Sequence, residues 1–201
     1  LGKHMSLLFF ARRAVVLNRG EEGHGLGFLL EGRLQGVDFT LDGREVGLYF
    51  VAAGDYFGEL SVVDDGPAPE FVMALGRAQV AFLPREAARG LVLSTPSIAE
   101  KVMKRLSARV RSASAQRTLL SLPNPVQRLC AQLLVLVREE ASRIDNAPTH
   151  QELAIMINTS RETVTRAFQV LQSQHILLRY GTTLVVQRSD ALADIADGKA
   201  E

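Results

Sequence analysis

The sequence predicts an α+β fold in which an N-terminal roll of short β-strands leads through one long helix into a C-terminal winged helix-turn-helix. Strand-like runs broken by glycine turns fill residues 15–83, and residues 97–122 contain neither glycine nor proline. A capped helix pair with a following hairpin then occupies residues 149–186. With 201 residues, 47% of them hydrophobic, the chain is long enough to bury two small cores.

The N-terminal half has the pattern of antiparallel strands. Asp42-Gly43 lies between alternating apolar residues, which is a strong hairpin signal. Glu31-Gly32 and Gly54-Asp55 mark further turns. Closely spaced strands and turns favour a small β-roll or barrel over a sheet built from βαβ units.

A long helix is predicted after Pro96, which suits a first helical turn and follows Ser94 and Thr95, two candidate N-caps. An apolar stripe runs along it through Ile98, Val102, Leu106, Val110, Ala113 and Leu120. The stripe packs either on its own domain or against a second copy as a coiled-coil seam, and the pattern leaves both open. Pro123 and Pro125 end this helix, and another is predicted from Val126 to Glu140.

The charge distribution indicates where an anionic partner would bind. The net charge is only +1, and residues 45–76 contain no lysine or arginine. The long helix is basic instead, with Lys101, Lys104, Arg105, Arg109, Arg111 and Arg117. Positive charge therefore belongs to the second half of the chain.

Other residue counts exclude several classes of site. Cys130 is the only cysteine, which excludes an intrachain disulfide and fits a cytoplasmic protein. The four histidines are scattered, so no zinc site is predicted. Because no run of 18 apolar residues exists, no membrane span is predicted.

The strongest local signal is a helix-turn-helix. Thr149 and Glu152 form a capping box that opens a short first helix. Asn158 falls where the chain must turn sharply, and asparagine tolerates a left-handed backbone. Ser160 then caps a second helix, and residues 175–186 form a hairpin with a turn at Tyr180-Gly181, as expected of a wing.

The second helix separates into a polar and an apolar arc. The polar arc holds Arg161, Glu162, Thr165, Arg166 and Gln169, and the other holds Thr163, Val164, Ala167, Phe168, Val170 and Leu171. Arginine reads guanine, glutamine reads adenine and glutamate accepts from the cytosine amino group, so the polar arc suits base edges. The alternative is a face that only meets water, but the order of cap, turn, helix and hairpin favours DNA recognition.

Three groups of residues resemble a known family. Gln151-Glu152-Leu153-Ala154, followed by residues 158–166, resembles the DNA-binding motif of the CRP/FNR regulators, with Asn158 in place of their frequent glycine. Residues 18–21, 29–32 and 54–60 resemble the cyclic-nucleotide-binding β-roll of that family. The resemblance covers about residues 15–186.

The resemblance implies a cytoplasmic bacterial transcription regulator rather than an enzyme. It implies a homodimer joined along the long helix that binds palindromic double-stranded DNA and contacts RNA polymerase. The domains are then an effector domain at 6–95, a dimerisation helix at 96–122, the winged helix-turn-helix at 123–189 and a fraying tail at 190–201. DNA contacts are expected from Gln151, Ser160, Arg161, Glu162, Thr165, Arg166 and Gln169.

The effector pocket departs from the family pattern. The resemblance locates it at Gly58, Glu59, Leu60, Ser61, Pro69, Glu70 and Ser114. Pro69 stands where the family has its phosphate-binding arginine, and Glu70 replaces a small hydroxyl residue and would repel phosphate. Ala113-Ser114 replaces the Thr-Ser pair that touches adenine. We therefore expect cyclic AMP to bind poorly or not at all.

Two alternatives concern this pocket. In one, Gly58 and Glu59 only form a solvated turn and no effector binds. In the other, the effector is a different cyclic nucleotide or a cyclic dinucleotide, because Arg105 and Arg109 resemble the arginine pairs that grip cyclic di-GMP. A second function hypothesis follows, a nucleotide-sensing module whose winged helix contacts protein. The polar arc argues against it, since protein interfaces favour aromatic residues and that arc has none.

Overall fold

The structure is a computed structural model that describes residues 5–137 and 142–199. Contacts divide the chain into two compact units, one ending at Ala113 and the other beginning at Ser114. The predicted α+β class is confirmed, with a strand-rich first unit and a helical second unit that carries a small sheet.

The first unit consists mainly of short strands. In chain order they are β1 (Ser6–Phe10), β2 (Val15–Leu17), β3 (Leu26–Glu31), β4 (Arg33–Phe39), β5 (Glu45–Ala52), β6 (Tyr56–Phe57), β7 (Phe71–Ala74) and β8 (Ala78–Leu83). Helix α1 (Glu59–Asp64) follows β6, and helices α2 (Arg85–Ser94) and α3 (Pro96–Ser121) follow β8. The sequence reading missed α2, whose ten residues show too short a pattern to stand out.

The strands of the first unit form two antiparallel four-stranded sheets, in the orders β1-β8-β3-β6 and β2-β7-β4-β5. Strands β4 and β5 form the hairpin predicted around Asp42-Gly43, with Phe39 opposite Glu45. Buried side chains from both sheets belong to one cluster, including Leu29, Phe57, Val80, Leu34, Val51 and Val72. The core therefore lies between the two sheets.

Helix α3 is exposed over most of its length, and its two buried side chains are Val102 and Leu119. Val102 is 5% exposed, whereas Val110, two turns later on the same stripe, is 68% exposed. Met103 is also largely exposed. The apolar stripe predicted from the sequence is therefore only partly covered by the chain itself.

The second unit contains four further helices and a small sheet among its described residues. The helices are α4 (Pro125–Leu136), α5 (His150–Met156), α6 (Arg161–Ser173) and α7 (Ser189–Ala196). Strands β9 (Arg143–Ile144), β10 (Leu177–Tyr180) and β11 (Thr183–Val186) pair antiparallel in the order β10-β11-β9. The predicted hairpin is present, with Tyr180 opposite Thr183. The buried core of the second unit includes Leu133, Leu153, Phe168, Leu171, Leu184 and Leu192.

Two expectations about the second unit were wrong. The residues after Asp190 do not fray at once, because α7 runs to Ala196 and packs against α4 with Leu192 fully buried. Val170 was assigned to the apolar arc of α6 but is 53% exposed, because it lines an open cavity of about 270 Å³ with Val126 and Ile195.

Two other expectations can be compared only with the described residues. Helix α4 ends at Leu136, and the remainder of the helix expected to reach Glu140 falls partly on residues 138–140, which lie outside the described part of the chain. Among the helices of residues 5–137 and 142–199, none is long and apolar enough to cross a bilayer.

Candidate nucleic-acid interface and effector pocket

The first helix of the helix-turn-helix begins with a complete capping box. Thr149 Oγ1 accepts a hydrogen bond from the backbone N–H of Glu152 at 3.3 Å, and Glu152 Oε2 accepts from the N–H of Thr149 at 2.9 Å. Two otherwise unpaired donors of the first turn are thereby satisfied. Leu153, Ala154 and Met156 point inward from this helix and are buried, as the sequence predicted. Gln151 is exposed.

The turn between α5 and α6 is held by Asn158 and Arg128. Asn158 has a φ of 49°, the left-handed conformation predicted for this position. The Arg128 guanidinium donates to the carbonyl of Ile157 at 2.9 Å and to that of Leu122 at 2.7 Å. Its positive charge also lies at the C-terminal end of α5, where helix carbonyls lack partners. The sequence reading did not single out Arg128, because its acceptor at Ile157 lies 29 residues away.

Helix α6 begins at the predicted cap. Ser160 Oγ accepts from the N–H of Thr163 at 3.1 Å. Val164, Phe168 and Leu171 are each 1% exposed, so one side of α6 is fixed in the core of the unit. That packing leaves the opposite side of the helix free for contacts outside the unit.

The predicted DNA-contacting residues lie together on α5 and α6. Six of them are exposed: Gln151, Ser160, Arg161, Glu162, Arg166 and Gln169. The seventh, Thr165, is half-buried, and its hydroxyl contacts His150. Hydrogen bonds from its own backbone and from the Ser160 hydroxyl lower the pKa of Glu162, so this carboxylate is ionised at neutral pH. The resulting surface carries two guanidinium groups, one carboxylate and two amides.

The effector pocket begins at a glycine turn in the first unit. Gly58 has a φ of 84°, and a Cβ atom there would lie 2.6 Å from the carbonyl oxygen of Gly25, so only glycine fits. The turn leads directly into α1, whose first residue is Glu59. Ser61 is buried, and its hydroxyl donates to the Gly58 carbonyl at 3.1 Å. Leu60 is half-buried.

A buried ion-pair cluster includes Glu59 and Glu70, two of the residues that the resemblance assigns to the effector pocket. Arg109, from α3, contacts Glu59 Oε1 at 3.0 Å and Glu70 Oε1 at 3.2 Å. The Tyr49 hydroxyl donates to Glu70 at 2.5 Å, and the Arg109 guanidinium lies 4.0 Å from the centre of the Tyr49 ring. Burial raises the pKa of Tyr49 despite the nearby arginine, so the phenol keeps its proton. We call Arg109, Glu59, Glu70 and Tyr49 the pocket cluster.

The pocket cluster corrects one expectation. Glu59 does not form a solvated turn, since it is 1% exposed and pairs with Arg109. Glu70 pairs with the same guanidinium. The sequence suggested Arg109 only as one of two arginines that could bind a cyclic dinucleotide, and did not predict its ion pair with Glu59, which lies 50 positions away. The available signal was the spacing of Arg105 and Arg109, which places both on one face of α3.

The remaining pocket residues do not join this cluster. Pro69 is exposed, and Ser114 is exposed and belongs to the second unit. Arg105 lies 3.5 Å from Asp55 and donates to the carbonyl of Tyr56 at 3.3 Å. The two arginines that resemble a cyclic dinucleotide grip therefore both contact acidic or carbonyl oxygens of the roll.

Other candidate sites receive no support from the described residues. Within residues 5–137 and 142–199, no three histidine, cysteine or acidic side chains are grouped as they would be around a metal ion. Burial raises the pKa of the Cys130 thiol to about 12, which keeps it protonated and unreactive.

A roll of antiparallel strands followed by a winged helix-turn-helix defines a two-domain, DNA-binding regulator, and comparison with known proteins gives the same class. Residues 7–95 match the cyclic nucleotide-binding domain family, and residues 127–195 match the Crp-like helix-turn-helix domain family. The chain belongs to the CRP/FNR family of transcriptional regulators. It is accordingly a DNA-binding transcription regulator and not an enzyme.

Individual relatives match along nearly the whole chain. The cyclic AMP receptor protein of Thermus thermophilus is 28% identical over 98% of this chain and 93% of its own length. The CRP-like cAMP-activated global transcriptional regulator of Mycobacterium tuberculosis is 27% identical over 96% of this chain and 89% of its own length. The structure of FixK2 from Bradyrhizobium japonicum shares the fold, with a TM-score of 0.81 at 19% identity over 94% of this chain and 96% of that one.

Proposed function

We propose that the protein binds a palindromic duplex as a homodimer, with α6 of each protomer in the major groove. The exposed polar face of α6 carries this proposal. Arg161, Glu162 and Arg166 would contact base edges, and Thr165 and Gln169 would extend the contact along the groove. Gln151 and Ser160, at the starts of the two helices, would bind the phosphate backbone. The two arginines favour guanine in each half-site.

The homodimer would form along α3. Its exposed Met103 and Val110 leave an apolar surface that a second copy of the helix would cover. A two-fold axis through this seam repeats α6, and the two half-sites would then lie about one helical turn, roughly 34 Å, apart. We also expect RNA polymerase as a partner and the cytoplasm as the location, in keeping with the family.

Selection from a library of random duplexes tests the DNA claim. The selected sites should be palindromic, and inserting about 5 base pairs between the half-sites should abolish tight binding because it turns one half-site to the opposite face. Affinity should also fall steeply with salt, since phosphate contacts release counterions. A selected site without two-fold symmetry, or an affinity independent of salt, would contradict the proposal.

We further propose that the protein is not a sensor of cyclic AMP, although relatives are named for that ligand. The phosphate of cyclic AMP needs a paired charge or several donors when it is buried. Glu59 and Glu70 already engage Arg109, and together these three side chains carry one net negative charge. A phosphate would have to take Arg109 away from two buried carboxylates, which would then lack a counter-ion.

The same contacts weaken the case for a nucleotide-sensing module that uses its winged helix for protein contacts. A cyclic dinucleotide is as anionic as two cyclic mononucleotides, and Arg105 and Arg109 are both engaged with oxygens of the roll. We therefore infer a regulator whose pocket cluster takes the place of an anionic effector.

Calorimetric titration with cyclic AMP and with cyclic di-GMP tests the pocket. Neither nucleotide should bind with a Kd below about 1 mM, a free energy of about −4 kcal/mol. A matched variant that carries Pro69→Arg and Glu70→Ser removes one carboxylate and restores the family's arginine, so it should gain affinity for cyclic AMP. Micromolar binding of cyclic AMP to the unmodified protein would overturn this part of the proposal.

A further inference from the structure

His150, the first residue of α5, contacts α6 at two points within the second unit. Its ring stacks on Phe168, with 4.5 Å between ring centres and 26° between the planes. Its Nδ1 atom lies 3.0 Å from Thr165 Oγ1. Phe168 is buried in the core, whereas Thr165 lies at the edge of the exposed polar face. His150 therefore connects the core of the helix-turn-helix to its recognition surface.

The other hydrogen bond of Thr165 determines which atom is the donor in the contact between His150 Nδ1 and Thr165 Oγ1. A threonine hydroxyl has one proton to donate and two lone pairs that accept. Thr165 Oγ1 lies 2.9 Å from the backbone carbonyl oxygen of Arg161, which can only accept, so the hydroxyl proton is directed there. The bond between Thr165 and His150 must then use a proton on Nδ1 of His150.

The protonation state of His150 agrees with this assignment. Burial, and then the positive charges of Arg179 and Arg161, lower the pKa of His150, so its ring is neutral at neutral pH. A neutral imidazole carries one proton, and the contact with Thr165 assigns it to Nδ1. His150 is therefore a fixed donor toward the recognition helix.

The hydrogen bonds of Thr165 limit which bases its hydroxyl can recognise. A threonine with a free hydroxyl can pair with either donors or acceptors on a base edge. The Thr165 hydroxyl donates a hydrogen bond to the backbone carbonyl of Arg161 and accepts one from His150. A single lone pair of its oxygen is then left for a base. Thr165 can accept from the amino groups of adenine or cytosine, but it has no proton for the oxygen and nitrogen acceptors of guanine or thymine.

We propose that His150 is a specificity-determining residue of the DNA site, which fixes the Thr165 hydroxyl as an acceptor and so selects adenine or cytosine over guanine or thymine at one position of each half-site. His150 acts through Thr165 and is a positioning residue. The proposal rests on the proposed DNA-binding function of α6.

The first test measures base preference with the full-length protein. Affinities are compared for duplexes in which each position of the selected half-site carries each base in turn. Thr165→Val, which removes the hydroxyl but keeps the shape, identifies the position that Thr165 reads. There the unmodified protein should prefer adenine or cytosine by about fivefold, as one hydrogen bond allows.

Two His150 variants separate the donor from the stacking. His150→Phe keeps the ring on Phe168 and removes the donor, so the preference at that position should fall below about twofold while other positions keep theirs. His150→Asn places an amide donor near the position of Nδ1 and should restore part of the preference. An unchanged preference in His150→Phe, or no position that responds to Thr165→Val, overturns the proposal. If the unmodified protein selects no palindrome, the proposed function fails first and this inference fails with it.

The second test uses the unmodified protein without DNA, so it does not depend on the folding of any variant. Nitrogen NMR of histidine side chains distinguishes the two neutral tautomers of the ring. His150 should carry its proton on Nδ1 at neutral pH. A signal from the opposite tautomer, with the proton on Nε2, would overturn the assignment of Thr165 as an acceptor.

Discussion

Replacing Arg109 by methionine tests the pocket cluster most directly in the first unit. Methionine keeps most of the aliphatic length of arginine and removes the charge. The carboxylate of Glu59, whose side chain is 1% exposed, then loses its ion-pair partner, and that of Glu70, whose side chain is 12% exposed, loses its counter-ion. Removing one partner of a buried ion pair costs about 3–5 kcal/mol, because the remaining charge stays buried.

The change is large enough to measure by urea unfolding. With a slope of about 2 kcal/mol per molar urea, the midpoint of the first unit should fall by roughly 2 M. Tyr49 and Tyr56 lie in the first unit, and Tyr180, which is 64% exposed, lies in the second. In a Tyr180→Phe background, tyrosine fluorescence therefore reports the first unit alone, because the chain has three tyrosines and no tryptophan.

Two controls identify the cause of the loss. Adding Glu59→Gln and Glu70→Gln to the Arg109→Met variant removes both uncompensated charges and should recover most of the free energy of unfolding. The deficit of the single variant should also shrink between about pH 7 and pH 5, because buried carboxyls without a counter-ion have raised pKa values and take up protons. A loss in the free energy of unfolding below about 1 kcal/mol would refute the reasoning, and so would a loss that neither control reduces.

Three further predictions concern the second unit. Thr149→Ala removes the capping box and should lower its free energy of unfolding by about 1 kcal/mol in thermal melts, while Thr149→Ser should cost little. Arg128→Met removes the donors that hold the turn after α5 and should cost about 2–3 kcal/mol in urea unfolding, with partial recovery in Arg128→Lys. The folded state lowers the pKa of His150, so the unfolded state binds more protons below about pH 6.5. The contribution of His150 to the free energy of unfolding is therefore fully present above that pH. It is lost as the pH falls through the pKa of His150 in the folded protein. His150→Asn should lack this component, and identical pH profiles of the two proteins would contradict it.

The helix-turn-helix could be predicted because its signals are local. The capping box at Thr149, the left-handed turn at Asn158 and the cap at Ser160 each involve residues at most three positions apart, and the structure has all three. The hairpin around Asp42-Gly43 was predicted for the same reason. Local hydrogen bonds and turn geometry follow from a few neighbouring residues, whatever the rest of the chain does.

The missed features depend on contacts between distant parts of the chain. Arg109 meets Glu59 and Glu70 across 50 and 39 positions, and the spacing of α3 shows only which side chains share a face, not what they contact. Helix α7 is short and was dismissed from its composition, but burial of Leu192 against α4 stabilises it. Short helices gain their stability from tertiary packing rather than from propensity.

The central claim is that the exposed side chains of α6 read DNA bases, and Arg166→Ala tests it most directly. Relative affinities for every single-base change in the selected half-site should show that this variant loses about 1–3 kcal/mol of discrimination at one guanine and keeps it elsewhere. Arg12→Ala, an equal charge change at an exposed residue of the first unit, should leave all base preferences unchanged. If Arg166→Ala weakened binding to every sequence equally, or left it intact, α6 would not be the reading helix.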